Sequence, residues 1–257
     1  MARPHLLVIA GLDPSGGAGL LADVRLGEQL GARVVGVATA LTEQDSHGAR
    51  AANPVSAEVV RDQLRALLSD VEVAAVKIGM LGDAAIAEAV GEALALTAAP
   101  VVWDPVLRPT RGPALLYAGD PRRAVDALRP HLTLITPNLD EAALLLGAEL
   151  HDHAAQRAAA RAVADAIGAA ALIKGGHFGG PEAIDVLAMG GELHDLRGPR
   201  IATSDAVHGT GCALSTAIAV GLAHGQPLLE AVRAGKQLVA ERLADPVAVG
   251  RGRRSIS

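Results

Sequence analysis

The chain has 257 residues, half of them hydrophobic, with a formal net charge of −5 and only one Trp, one Tyr and one Phe. The acidic balance argues against a nucleic-acid binder, which carries a basic patch or an overall basic charge; the basic stretch Arg251-Gly252-Arg253-Arg254 reads as part of a solvated end, with 253–257 a loose tail. A core without aromatics must be built from Ala, Val, Leu and Ile, and the single cysteine excludes an internal disulfide framework and fits a reducing compartment.

Leu6 to Ala10 reads as a buried strand, followed by the glycine-rich loop Gly11 to Gly19 and a helix over 20–30. Leu20, Leu21 and Val24 share one face of that helix, and Gly27 weakens it. Strands are expected at 33–41, 74–78, 101–103, 132–135 and 170–173, with two poorer ones within 183–198. Helices are expected at 56–69, 83–96, 138–146, 152–168, 211–224 and 227–243. This alternation implies an α/β fold, a mostly parallel sheet with helices on both faces. Without a repeat or a long linker, the chain reads as one domain. No apolar run is long enough to span a membrane, and no basic segment followed by a long apolar stretch marks a signal peptide. The expected location is the cytoplasm.

In such sheets ligands bind beyond the carboxyl ends of the strands. Gly17-Ala18-Gly19-Leu20-Leu21-Ala22 fits the dinucleotide pattern G-x-G-x-x-G/A, with Glu43 near the distance of a ribose-binding acid, so an NAD-dependent oxidoreductase is one reading. Against it, Gly11 to Gly16 separate the strand from these glycines, a loop suited to wrapping a small ligand. Asp23, one turn into the helix, either faces that ligand or is an exposed carboxylate favoured by the helix dipole. His208-Gly209-Thr210-Gly211-Cys212 opens a helix, where successive N–H groups and the dipole would form an anion hole for a transferring phosphoryl group. A thiol there is expected to have a lowered pKa; the plainer reading is a tight turn with a small buried Cys. Asp104 and Glu141 supply oxygen ligands of the kind Mg²⁺ takes, while Asn138 and Glu141 also fit a capping box. Lys174 would hold a phosphate or be a solvated turn lysine. Met80 reads as core, and His151-Asp152-His153 as surface. The GxxxxGK[ST] phosphate loop is absent.

The ordered set of these motifs resembles the hydroxymethylpyrimidine/phosphomethylpyrimidine kinases of thiamine biosynthesis. It runs from Ala10–Gly19 with Asp23, through Lys77-Ile78-Gly79-Met80-Leu81, Asp104-Pro105-Val106, Thr136-Pro137-Asn138 with Glu141 and Lys174-Gly175-Gly176-His177, to His208–Cys212. The resemblance covers about residues 5–243. It implies a ribokinase-like fold, ATP with Mg²⁺, a homodimer, and two successive phosphorylations of 4-amino-5-hydroxymethyl-2-methylpyrimidine; a pyridoxal kinase of the same fold is the nearest alternative. It implies that Gly11, Asp23, Gln44, Met80 and Val106 surround the pyrimidine. Gly209 and Gly211 would cap the phosphoryl group, with Thr210 and Asn138 on the nucleotide side, Lys174 on its phosphates, and Asp104 and Glu141 around Mg²⁺. Cys212 would be a thiolate base or would shape the anion hole. Three departures stand out: Arg108-Pro109-Thr110-Arg111-Gly112 where relatives carry Ala-Lys-Ser-Gly, Glu43-Gln44-Asp45 for Ala-Gln-Asn, and no C-terminal Gly-His-Gly.

Overall fold

The computed structural model describes residues 2–108, 113–176, 180–201 and 207–256. Its elements in chain order are β1 (His5–Leu12), α1 (Gly19–Gln29), β2 (Arg33–Asp45), β3 (Gly48–Pro54), α2 (Ala57–Asp70), β4 (Ala75–Ile78), β5 (Gly82–Asp83) and α3 (Ala84–Leu94). Next come β6 (Val101–Trp103), β7 (Tyr117–Ala118), α4 (Pro121–Leu128), β8 (Leu132–Ile135), α5 (Leu139–Leu146), α6 (His153–Ile167) and β9 (Ala170–Ile173). The remainder is β10 (Glu182–Met189), β11 (Glu192–Pro199), β12 (Val207–His208), α7 (Thr210–Ala223), α8 (Leu228–Ala244), β13 (Val247–Ala248) and β14 (Arg254–Ser255).

A nine-stranded sheet in the order β11-β10-β9-β8-β6-β4-β1-β2-β3 organises the chain. The strands from β9 to β2 are parallel; β3 at one edge and β10 near the other run against them, and β11, antiparallel to β10, closes that edge. Side chains alternate across a strand, so each short apolar run serves two cores. Leu7, Ile9, Ile78, Trp103 and Ile135 pack with residues of α2 to α6, including Leu64, Val90, Leu128 and Val163. Leu6, Val8, Val102, Leu134 and Leu172 face the other way, against Leu214 and Ile218 of α7 and Val232 of α8. The mostly parallel sheet covered on both faces is therefore as the periodicity predicts.

On α1 the buried stripe is Ala22, Asp23, Leu26 and Gly27, not the face through Leu21, which is exposed. Gly27 belongs there for a packing reason: a Cβ would lie 2.5 Å from Val34 Cγ2, so only glycine lets helix and strand approach. β2 continues past the sheet to Asp45 and turns back as β3. The pairing slips between Glu43 and Gln44, a bulge of the sort that re-aims a side chain beside a site.

The loose-tail expectation is corrected. Residues 254 and 255 form β14 between β12 and β13, and Ser255 and Ile256 are buried. Ser255 Oγ donates to the carbonyl of Gly17 at 3.0 Å, and Arg253 N donates to the carbonyl of Ser46 at 2.7 Å. The chain end is thus sewn to the glycine loop and to the β2–β3 turn.

Candidate active site

The parallel strands deliver site residues at their carboxyl ends: Asp13 after β1, Gln44 at the end of β2, Met80 beyond β4, Asp104 after β6, Asn138 beyond β8 and Lys174 after β9. Together with the start of α7 they line one cleft of about 1000 Å³. Gly11, Gln44, Met80, Val106, Asp104, Asn138, Glu141, Lys174, Gly209, Thr210, Gly211 and Cys212 all border it; Asp23 does not.

Asp23 is 1% exposed and lies beneath the floor, where it accepts from Lys77 Nζ at 2.5 Å and from Thr216 Oγ1 at 2.8 Å. This corrects both the ligand-facing and the exposed-carboxylate readings. Lys77, itself fully buried, was not anticipated, although a lone lysine inside the apolar run Ala75-Val76-Lys77-Ile78 signals a paired charge. Burial opposes its charge, but Asp23 and, further off, Cys212 and Asp104 raise its pKa above the ordinary value, so the ammonium stays charged.

The side chains of Asp83, Asp120, Asn138, Asp152 and Ser56 cap the N-termini of α3, α4, α5, α6 and α2. The helices α1 and α7, whose first turns border the cleft, have no side-chain cap. At α1 the Gly19 N–H is directed at Cys212, so it is the leading N–H groups of α7 that are available to an anion. The two glycine loops meet there: Gly209 has φ +84°, and a Cβ on it would lie 2.2 Å from the Gly17 carbonyl oxygen. A Cβ on Gly211 would come within 3.1 Å of Lys174 Nζ and 3.4 Å of Asp104 Oδ2. Glycine at both positions keeps the cradle open. The dinucleotide geometry is not formed, because β1 runs to Leu12 and six residues, Asp13 to Ala18, separate it from α1.

Lys174 Nζ donates to Asp104 Oδ1 at 2.7 Å, and Thr136 Oγ1 approaches the same oxygen at 3.3 Å. Asn138 and Glu141 form the expected capping box. Burial pushes the Glu141 carboxyl up to about 7; Lys174 opposes this and Asp104 reinforces it. Two buried carboxylates thus share one ammonium, a shortage of positive charge that suits a divalent cation. Among the described residues no group of three or more His, Cys, Asp or Glu could hold a metal ion. A cation here would draw its other ligands from phosphate and water, as Mg²⁺ does.

At the other end, Met80 packs with Ala40, Ala49, Leu116 and Val106 into an apolar wall. Gly11 makes room for it: a Cβ would lie 2.7 Å from Met80 Cε. Gln44 Nε2 lies 3.0 Å from Asp13 Oδ2 and 2.8 Å from His208 Nε2. Burial opposes ionisation of Asp13, but two hydrogen bonds from Ser15 hold its carboxyl below the ordinary value. Arg108 is an exposed residue at the rim; Arg111 and His177 lie outside the described residues. Away from the cleft, His153 is half-buried and bonded to Gln156 and Asp195, so it is structural rather than a surface residue.

The lowered thiol pKa is also corrected. Burial pushes Cys212 up to about 11; Lys77 and the Gly19 N–H oppose this, while Asp23 and Asp104 add to it. The thiol is therefore protonated at neutral pH. Alkylation by iodoacetamide is expected to be slow at pH 7 and to accelerate about tenfold per pH unit until near the thiol pKa. Fast, pH-independent labelling at pH 7 would show a resident thiolate.

A family profile described as phosphomethylpyrimidine kinase matches residues 13–257. The chain belongs to that family. A hydroxymethylpyrimidine/phosphomethylpyrimidine kinase of Streptomyces coelicolor is 43% identical over 97% of this chain and 92% of its own length. The thiamine biosynthesis bifunctional protein ThiED of Geobacter sulfurreducens is 38% identical over 97% of this chain and 51% of its own. Among solved structures, the pyridoxal kinase of Staphylococcus aureus in complex with ADP superposes with a TM-score of 0.90, 29% identity and coverage of 100% and 94%. The fold is accordingly ribokinase-like, and the chain is a phosphotransferase. No helix among the described residues is long and apolar enough to cross a membrane.

Proposed function

We propose that this chain transfers the γ-phosphoryl group of ATP to the hydroxymethyl oxygen of 4-amino-5-hydroxymethyl-2-methylpyrimidine, then to the resulting monophosphate, giving the pyrophosphate used to build thiamine phosphate. The observation that carries the reading is one cleft with three differentiated parts. An apolar wall with an amide (Met80, Val106, Gln44) suits a flat aminopyrimidine, an uncapped glycine turn (Gly209 to Cys212) suits the group in flight, and Lys174 beside Asp104 and Glu141 suits charged phosphates.

The acceptor hydroxyl attacks the γ-phosphorus as the bond to the ADP oxygen breaks, and the hydroxyl proton is released. Such transfers proceed through a loose transition state that leaves the protein mainly positioning and charge neutralisation. The N–H groups at the start of α7 would receive the equatorial oxygens, Lys174 would pair the nucleotide phosphates, and Thr210 and Asn138 would border them. Asp104 and Glu141 would hold Mg²⁺, which when bound neutralises charge on the phosphates. With its proton in place, Cys212 shapes the wall beside the acceptor rather than serving as a resident base. We further infer that the chain works as one kinase domain and as a cytoplasmic homodimer.

A coupled ADP-release assay tests the acceptor. kcat/KM for the hydroxymethylpyrimidine is expected to exceed that for pyridoxal by at least about tenfold, as for a buried hydrogen-bond mismatch; equal or reversed preference would sink the assignment.

A further inference from the structure

The amide of Gln44 has a fixed polarity, and two residues set it. Asp13 is 3% exposed and accepts at Oδ1 from the N–H and the hydroxyl of Ser15, at 2.8 and 2.7 Å, and at Oδ2 from Ala18 N at 3.1 Å. A carboxylate so held is an acceptor only. Gln44 sits 3.0 Å from its Oδ2, so the atom facing it must be the amide nitrogen; the carbonyl oxygen there would set two acceptors against each other. The same nitrogen lies 2.8 Å from His208 Nε2. His208 must therefore present a lone pair at Nε2 and carry its proton on Nδ1, and its 3.4 Å approach to Asp13 is the longer contact. An amide nitrogen has two hydrogens, and both are now committed. The His208 ring lies against the glycine loop, its Cδ2 3.0 Å from where a Cβ on Gly17 would stand, so a larger residue at 17 would displace it.

What remains of Gln44 for a ligand in the cleft is Oε1, an acceptor. We infer that Asp13 and His208 are positioning residues that lock the Gln44 amide so that the site demands a hydrogen-bond donor, an exocyclic amine, on its aromatic substrate. This rests on the kinase reading above and deepens it. An acceptor ring lacking the amine leaves Oε1 unpaired in a partly buried place, which is penalised more heavily than a missing bond in water.

The test compares kcat/KM for the 4-amino-5-hydroxymethyl-2-methylpyrimidine and for its 4-deamino analogue, which offers ring nitrogen acceptors and has no donor at the 4-position. The expected preference of the unaltered chain for the amine is about tenfold or more. In Asp13→Asn the partner is no longer acceptor-only, the Gln44 amide can turn, and its NH₂ can serve the ring nitrogen. The preference then falls to about threefold or less. His208→Phe, which removes the second acceptor, should narrow it in the same direction. A purely structural injury lowers both kcat/KM values together and leaves their ratio unchanged. An unaltered chain that turns over both rings equally well, or an Asp13→Asn variant that keeps the full ratio, overturns the inference while leaving the kinase reading standing. Turnover of neither ring overturns the kinase reading, and this inference with it.

Discussion

Replacing Lys77 by methionine is expected to destabilise the fold by roughly 3–5 kcal/mol, the cost of stranding a buried charge. For a chain of this size that is a fall in Tm of about 6–20 °C, at about 2–4 °C per kcal/mol. The reason is local. Lys77 and Asp23 are 0% and 1% exposed, and they meet between β4 and α1 under the cleft floor. Without the ammonium, the Asp23 carboxyl keeps only the Thr216 hydroxyl as a partner and must stay protonated in the interior. The companion Asp23→Leu/Lys77→Met variant removes both charges and is expected to recover most of the loss. Scanning calorimetry of the two variants decides the matter. A Lys77→Met Tm within about 2 °C of the parent would mean that the pair contributes little, given the same scaling.

Gly211→Ala is expected to separate stability from activity. The residue lies in the first turn of α7, where alanine is the better helix former by up to about 1 kcal/mol. The fold should be as stable as before or slightly more so. The added methyl, however, would stand 3.1 Å from Lys174 Nζ and 3.4 Å from Asp104 Oδ2. The flexible end of Lys174 moves away, and the methyl occupies the place meant for the transferring group. kcat should fall about 10²-fold or more, the scale of losing one preorganised donor to a transition-state oxyanion. Full activity in a correctly folded Gly211→Ala would remove the start of α7 from the reaction.

The sheet was legible because its central strands are short apolar runs flanked by helical periodicity, and parallel strands buried on both faces leave that signature. What escaped was structure made by tertiary pairing. β3 (Gly48-Ala49-Arg50-Ala51-Ala52-Asn53-Pro54) contains no β-branched or aromatic residue, and it is a strand because β2 overruns the sheet and folds back on it. β14 is a two-residue strand of Arg254 and Ser255, defined only by its neighbours β12 and β13. The helix α4 did carry its signal, an Asp120 cap followed by proline at the first position.

The site residues divide the same way. Those at strand ends, such as Asp104, Lys174 and Glu141, were readable from position. Asp23 was misplaced because the helix-dipole argument treats a first-turn carboxylate as exposed, whereas the face of α1 that packs inward carries it under the floor. Cys212 was misjudged electrostatically, because the pull of a helix N-terminus is weaker here than the burial that the three-dimensional cleft imposes. The partnership of Asp13, Gln44 and His208 joins residues 31 and 164 positions apart and leaves no trace in local pattern.

The most direct test is ³¹P NMR of a reaction containing the hydroxymethylpyrimidine and excess ATP. The account predicts a phosphate monoester signal that rises first and then gives way to the paired resonances of a pyrophosphate ester, both growing at the expense of ATP. A monoester that accumulates without further conversion would contradict two-step transfer at this cleft, and intact ATP with unchanged pyrimidine would contradict the kinase itself.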